Sequence, residues 1–243
     1  MSSTTAFVGS VPELYDRLNG PVFFEPYARD LARRVPDGTR RVLEVAAGTG
    51  RVTRHLVARL PADGELIATD LNPTMIDYAR SVIDDPRITW RTADAQALPL
   101  PDADVDAVVC QLGLWRVLRP GGVALVNTWD TLAVNRATGI VHEVARAACP
   151  ADPPRFYETP HSMHDRDALA ALFRAAGFAR VEVETVAAVG ESESAALAAR
   201  GLLRGTPLIG QLLERAAAAR LAAEFGDHPC RHPLAAHVVT ATR

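Results

Sequence analysis

A chain of 243 residues with 48% apolar side chains suits one sizeable domain, or one core domain with a small cap, and has ample material for a buried core. Its formal net charge of −3, without any dense basic stretch, excludes a surface built to grip nucleic acid or anionic lipid. Cys110, Cys149 and Cys230 stand alone, with no Cys-x-x-Cys among them, which points to a reducing compartment.

In chain order, the opening "MSSTTAFVGSVPELYDRLNG" lacks a basic head followed by an apolar run, so no secretion signal is expected. Residues 11–35 read as two short helical pieces around "NGPVFFEP", with a turn at Gly20 and Pro21. "RRVLEVA" (40–46) is a short apolar run of the kind found in buried parallel strands. After Gly50, Val52, Leu56, Val57 and Leu60 recur at helical spacing, and Pro61 with Gly64 stops that helix. "ELIATD" (65–70) reads as a strand and 72–83 as a helix with Asn72 at its cap and Pro73 at its first position.

Further strands are expected at 87–92, 105–111 and 121–130, then a helix over 136–148 and a loop rich in Pro, His and Tyr at 149–164. A helix at 167–176 closing on Gly177, a strand at 180–187, an alanine-rich helical region at 192–224 and a last strand at 236–242 complete the chain. Strands alternating with helices give a parallel sheet with helices on both faces. No run of about eighteen apolar residues occurs, so no membrane span is expected and the reading is a cytoplasmic protein.

The densest signal is "VLEVAAGTGRVT" at 42–53, where a strand gives way to a helix through Gly48 and Gly50. Ligands of open α/β sheets bind beyond the carboxyl ends of the strands, and glycines there let a ligand approach the main chain. The helix start offers N–H groups and a partial positive charge, suited to a nucleotide phosphate or an amino-acid carboxylate. Asp70 ends the second strand, 20 residues beyond Gly50, where a carboxylate accepts hydrogen bonds from both hydroxyls of a ribose. Thr53 stands where the dinucleotide fingerprint wants a third glycine, and Glu44 sits inside the strand, and both departures count against NAD.

With "VLEVAAGTGRVT", "IATDLNPTMIDYA", "TADAQALPLPDADVDAVVCQLGL" and "RVLRPGGVALVNTWD" in this order over roughly 38–130, the chain resembles the class I S-adenosylmethionine-dependent methyltransferases, specifically their small-molecule "type 11" group. "YDRLNGPVFFEPYA" and "AHVVTATR" are similar to one bacterial branch of that group. The resemblance implies a Rossmann-like, seven-stranded, mostly parallel sheet with the last strand antiparallel. It also implies a single domain over 1–243, with an N-terminal helical cap (1–37), a cofactor-binding core (38–130) and an acceptor-side region (131–243).

Carried onto this sequence, Glu44 would meet the methionine amino group of S-adenosylmethionine, and Ala46, Gly48, Thr49 and Gly50 would line its methionine and ribose. Asp70 would hold the ribose diol, Leu71 and Met75 would pack on the adenine, and Asp94 beside Ala95 would take the adenine amino group. Gln111 would face the methionine end, and Tyr15, Phe24 and Tyr27 would close the site from the N-terminal side. Family members often carry Gly-Cys where this chain has Ala46 and Ala47, which implies a less permissive turn.

On the acceptor side the candidates are Trp129 with Asp130 after the fifth strand, and Tyr157, His161 and His164 in "RFYETPHSMHD", with core packing as the plainer reading of Trp129 and a solvated surface for the histidines. His228, Cys230 and His232 alternate along "DHPCRHP", but two prolines and no fourth ligand nearby argue against a metal, and none is expected.

Between the fourth and fifth strands stand only residues 112–122, short for a parallel crossover that normally takes a dozen or more residues and a helix. Either the chain is naturally shortened there or residues have been lost from it, and the clean match of its flanks favours the loss. The expected activity is methyl transfer to a small-molecule acceptor, releasing S-adenosylhomocysteine, by a monomer or homodimer. A methyltransferase fold that binds the cofactor without turnover and an NAD(P)-dependent oxidoreductase are the alternatives.

Overall fold

The computed structural model describes residues 11–110, 118–204 and 211–243, and the side chains of 211 and 212 are not among the described parts. The chain packs into two compact units. One comprises Tyr27–Thr128, Asp165–Thr185 and His237–Arg243, and the other the described residues within Met1–Pro26 together with Trp129–His164 and Val186–Ala236.

Strands β1 (Arg41–Val45), β2 (Glu65–Asp70), β3 (Ile88–Thr92), β4 (Val105–Cys110), β5 (Leu118–Trp129), β6 (Arg180–Ser192) and β7 (Cys230–Thr242) lie in the order β3-β2-β1-β4-β5-β7-β6. The first unit holds β1 to β4, nearly all of β5, and parts of β6 and β7. The pairs β1–β2, β1–β4, β2–β3 and β4–β5 are parallel. The last strands run antiparallel. Gly121 N–H reaches Arg243 O and Arg243 N–H reaches Gly122 O, so the start of β5 faces the end of β7. Val42, Leu43, Leu66, Ile67, Val108 and Leu125 are all fully buried, because central parallel strands are covered on both faces.

Helices α3 (Arg51–Arg59) and α4 (Pro73–Val82) follow β1 and β2. Asn72 caps α4 by accepting the Thr74 N–H at 2.9 Å, with Pro73 at the first helical position where its missing N–H costs nothing. Helix α6 (Arg166–Ala175) begins on Asp165, which accepts the N–H groups of Asp167 and Ala168.

The other unit takes in the end of β6 and the beginning of β7 and is otherwise mainly helical: α5 (Arg136–Ala148), α7 (Ala195–Arg204) and α8 (Gln211–Phe225) pack on one another, with α1 (Val11–Leu14) and the segment after it against α7.

Three expectations are corrected. Gly20 and Pro21 do not break the N-terminal helix: α1 runs through a π-helical stretch, Tyr15–Phe24, into α2 (Glu25–Arg34). The Glu25 N–H reaches Gly20 O, five residues back, and this wider winding passes a proline that an α-helical turn resists. Strand β5 starts at Leu118 rather than 121, with a bulge where the register shifts between Val105–Leu118 and Ala107–Val123, and Gly121 there has φ +79°. Strands β6 and β7 each run 13 residues, well past their expected ends. The short crossover expected at 112–122 falls largely on residues 111–117, outside the described residues.

Candidate active site

The carboxyl ends of β1 and β2 meet at one place. The main chain leaves β1 through left-handed residues at alternate positions, Ala46 (φ +55°), Gly48 (+56°) and Gly50 (+80°). Glycine takes this region freely, whereas Ala46 is a strained alanine. The two glycines serve different purposes. A Cβ on Gly50 would lie 2.4 Å from Ile83 Cδ1, so that glycine packs the turn against α4 and its exit. Among the described residues, nothing beyond its chain neighbours lies within 4 Å of where a Gly48 Cβ would stand.

The turn's own N–H groups are already engaged. Ala47 N–H binds Thr69 O at 2.9 Å, Gly50 N–H binds Ala47 O at 2.9 Å, and Gly48 N–H binds Asp70 Oδ2 at 2.8 Å. The expectation of donors at this helix start open to a phosphate is therefore not met at these positions. Asp70 Oδ1 takes the Asn72 N–H at 2.8 Å, so both carboxylate oxygens are aimed by the backbone. Burial raises the Asp70 pKa, and the N–H groups of Asn72, Gly48 and Leu71 oppose the rise.

Glu44 is the other acid, 2% exposed in the middle of β1. Its Oε2 accepts the Thr53 hydroxyl at 2.6 Å, and its carboxylate also takes the Thr53 N–H, so a strand residue caps the first turn of α3. Burial pushes its pKa up to about 8, the two Thr53 bonds oppose the rise, and the Asp70 charge adds to it. Among the described residues no cation pairs with it. A small open recess lies against Glu44 and is lined also by Leu31, Val45, Ala46, Val52, Val109 and Cys110.

Sequence reasoning read Thr53 only as a missing glycine. The available signal was its place at the third position of α3, where its N–H and hydroxyl face back to the strand.

The remaining cofactor candidates sit on the same unit. Thr49 is buried, Leu71 is 46% exposed although apolar, and Met75 is buried in the first turn of α4. Asp94 and Ala95 follow β3, and Asp94 Oδ1 accepts the Gln96 N–H at 2.8 Å, leaving the second oxygen of an exposed carboxylate. The end of β3 is tied to β2 by Ala93 N–H on Asp70 O. Gln111 lies outside the described residues. Tyr27, also of this unit, has no exposed surface.

The helical unit brings four of the other candidates into one row. Tyr15 and Phe24 have ring centroids 5.0 Å apart, Phe24 and Trp129 5.8 Å, and Trp129 and His161 6.3 Å. His161 Nδ1 lies 2.5 Å from Asp130 O, which fixes the proton on Nδ1 and leaves Nε2 with its lone pair. Burial lowers the His161 pKa. Tyr157 is buried and its hydroxyl donates to Leu202 O. His164 Nδ1 lies 2.8 Å from His161 O. His228 contacts Glu193 O, while His232 is buried against Phe23 and Phe225. Among the described residues no three His, Cys, Asp or Glu side chains converge as a metal would need.

A mostly parallel sheet in the order 3-2-1-4-5-7-6, with an acid on each of its first two strands beside a glycine turn, is a Rossmann-like fold. Residues 42–122 match the family described as a methyltransferase domain.

A demethylmenaquinone methyltransferase of Deinococcus radiodurans is 38% identical over 37% of this chain and 44% of its own length. A ubiquinone/menaquinone biosynthesis C-methyltransferase of Pseudomonas aeruginosa is 29% identical over 58% of this chain and 66% of its own. The chain spans about half the length of the first curated relatives it matches. An N-methyltransferase of Haemonchus contortus, in complex with phosphomonomethylethanolamine and S-adenosylhomocysteine, superposes with a TM-score of 0.63 over all of this chain and 60% of that one, at 14% identity, a likeness of fold. No described helix is long and apolar enough to cross a membrane.

Proposed function

We propose that the chain is an S-adenosylmethionine-dependent methyltransferase acting on a small-molecule acceptor. The observation that carries this reading is Glu44: a buried carboxylate with no described cation against it, opening on a cavity beside the turn that Asp70 holds. A ligand with an ammonium at one end and a ribose diol at the other fits that pair of acids. The open space over Gly48 lets it come close to the main chain. Glu44 would take the ammonium, Asp70 the diol, Leu71 and Met75 the adenine face, and Asp94 with Ala95 the adenine edge. A phosphate-bearing dinucleotide fits less well, since the turn N–H groups of Ala47, Gly48 and Gly50 are engaged within the protein.

The chemistry that bound S-adenosylmethionine supplies is an electrophilic methyl on a sulfonium, whose thioether leaves without protonation. The protein's part is alignment and exclusion of water, with a base needed only for acceptors that must lose a proton. The relatives named for quinone biosynthesis support a small aromatic acceptor. Calorimetry with S-adenosylmethionine, S-adenosylhomocysteine and NAD tests the cofactor, and turnover against a metabolite panel tests the activity. Binding of NAD in preference to both S-adenosyl compounds would overturn the reading.

A further inference from the structure

A carboxyl group buried beside a second carboxylate, with only neutral donors on it, is held most cheaply with a proton. We propose that Glu44 is protonated in the ligand-free protein and gives up that proton when the ammonium of an S-adenosyl ligand arrives, so that cofactor binding is coupled to proton release, with Thr53 as the positioning residue that sets the coupling. This rests on the reading of the cradle as an S-adenosyl site and adds how that site is regulated.

The groups around Glu44 are few. From α3 come the Thr53 hydroxyl at 2.6 Å and its N–H, neutral donors that favour the anion without neutralising it. From β2 comes Asp70, whose charge opposes ionisation. From β4 come Val109, paired in register, and the Cys110 thiol on the shared cavity wall, and from α2 comes Leu31. Burial and Asp70 therefore act together against ionisation, and the pKa near 8 agrees. The recess that Glu44 lines, beside Ala46 of the glycine turn, is where a ligand cation would meet the carboxylate. A ligand ammonium there reverses the balance: the O–H of Glu44 breaks, its proton passes to solvent, and the electron pair stays on the carboxylate as the partner of the ammonium. Asp70, hydrogen-bonded to the two N–H groups of Gly48 and Asn72, already has donors that favour its anion.

The experiment is titration calorimetry on the whole protein at pH 6.0 in buffers of different ionisation enthalpy, where an α-ammonium is fully charged. S-adenosylhomocysteine, which carries the ammonium without a sulfonium, is the probe, and 5′-methylthioadenosine, which lacks the amino-acid end, is the control. The expected result is release of close to one proton with the first and none with the second. The S-adenosylhomocysteine affinity then rises about tenfold per pH unit from roughly pH 5.5 to 7. Glu44→Gln should abolish the release and flatten that pH profile. Thr53→Val should move the profile to higher pH and weaken S-adenosylhomocysteine about tenfold at pH 7, leaving methylthioadenosine unchanged.

Tight binding of S-adenosylhomocysteine without proton release overturns the coupling and leaves the proposed function standing. Equal release with methylthioadenosine, or from Glu44→Gln, assigns the proton elsewhere and also overturns it. Absence of binding by any S-adenosyl compound overturns both.

Discussion

Asp70 Oδ2 accepts the Gly48 N–H at 2.8 Å, tying the end of β2 to the turn that leaves β1. The same carboxylate is thus the expected grip on a ribose and the fastener of the loop on which the ribose would lie. Removing it should cost affinity twice, through lost hydrogen bonds and through a slackened turn. Charge-assisted hydrogen bonds contribute about 1.5–3 kcal/mol each. Asp70→Ala should therefore weaken S-adenosylmethionine by roughly 100-fold or more, and Asp70→Asn, which keeps one acceptor, by about tenfold. Calorimetry on the two variants checks this, and an unchanged affinity in Asp70→Ala would remove the ribose from this position.

The two glycines of the turn should separate stability from binding. Gly50→Ala places a methyl 2.4 Å from Ile83 Cδ1 at φ +80°, combining left-handed strain with overpacking, a loss of roughly 2–4 kcal/mol. Gly48→Ala meets nothing within 4 Å among the described residues, so only the conformational cost of about 1–2 kcal/mol is expected in the fold. Its methyl nevertheless occupies the open space where a ligand approaches. Urea unfolding should rank Gly50→Ala as the less stable, while S-adenosylmethionine titration should show at least a tenfold loss in Gly48→Ala. Normal affinity in Gly48→Ala would mean that the space above this residue is not used.

Burial of Glu44 also has a stability signature in the ligand-free protein. Its pKa rises from 4.5 to about 8 on folding, so the folded state binds the proton more tightly than the unfolded chain. Its burial carries no ionisation penalty below pH 4.5, and stability is lost as pH rises from there through 8, by up to roughly 5 kcal/mol. Glu44→Gln keeps an acceptor for the Thr53 hydroxyl and cannot ionise. Melting temperatures of the two proteins should lie close together at pH 5 and diverge by pH 8.5, with the variant the more stable. Parallel curves across this range would show that Glu44 ionises in the fold without penalty.

The central strands were legible because a strand covered on both faces is mostly apolar: "RVLEV", "ELIATD" and "VDAVVC" name β1, β2 and β4 almost to the residue. Asn72 and Pro73 marked the start of α4 by a local hydrogen bond, which needs no tertiary context. The long β6 and β7 were harder to see. Burial along β6 alternates between exposed and half-buried residues, and β7 carries Pro233 inside it, so neither presents an uninterrupted apolar run. The helical passage through Pro21 depends on a π-type bond that no residue preference announces. At the site, Glu44 and Thr53 each appeared as a departure from a dinucleotide motif, and their nine-residue separation gave no hint that the two side chains bond.

His232 offers a test of the helical unit that owes nothing to a ligand. The imidazole is 1% exposed, stacked on Phe23 with ring centroids 5.1 Å apart and tilted against Phe225 at 5.9 Å. Gly190 faces it so closely that a Cβ there would lie 2.5 Å from its Cε1. Neither ring nitrogen has a hydrogen-bond partner of acceptable geometry, and the nearby Pro233 backbone offsets little of the burial that drives its pKa down to about 4. A neutral imidazole carries one donor and one acceptor, so two buried polar groups go unmet here. His232→Leu, of similar volume, should therefore stabilise the protein by about 1–2 kcal/mol at pH 7. The folded pKa is depressed below the unfolded 6.5, so wild-type stability is intact above pH 6.5 and falls as pH drops through 4. The leucine variant lacks that loss, and its advantage should widen by up to roughly 3 kcal/mol at pH 4. Denaturant unfolding at both pH values measures the gap. A gap that stays constant, or a leucine variant less stable than wild type at pH 7, would mean that the imidazole has a partner in solution.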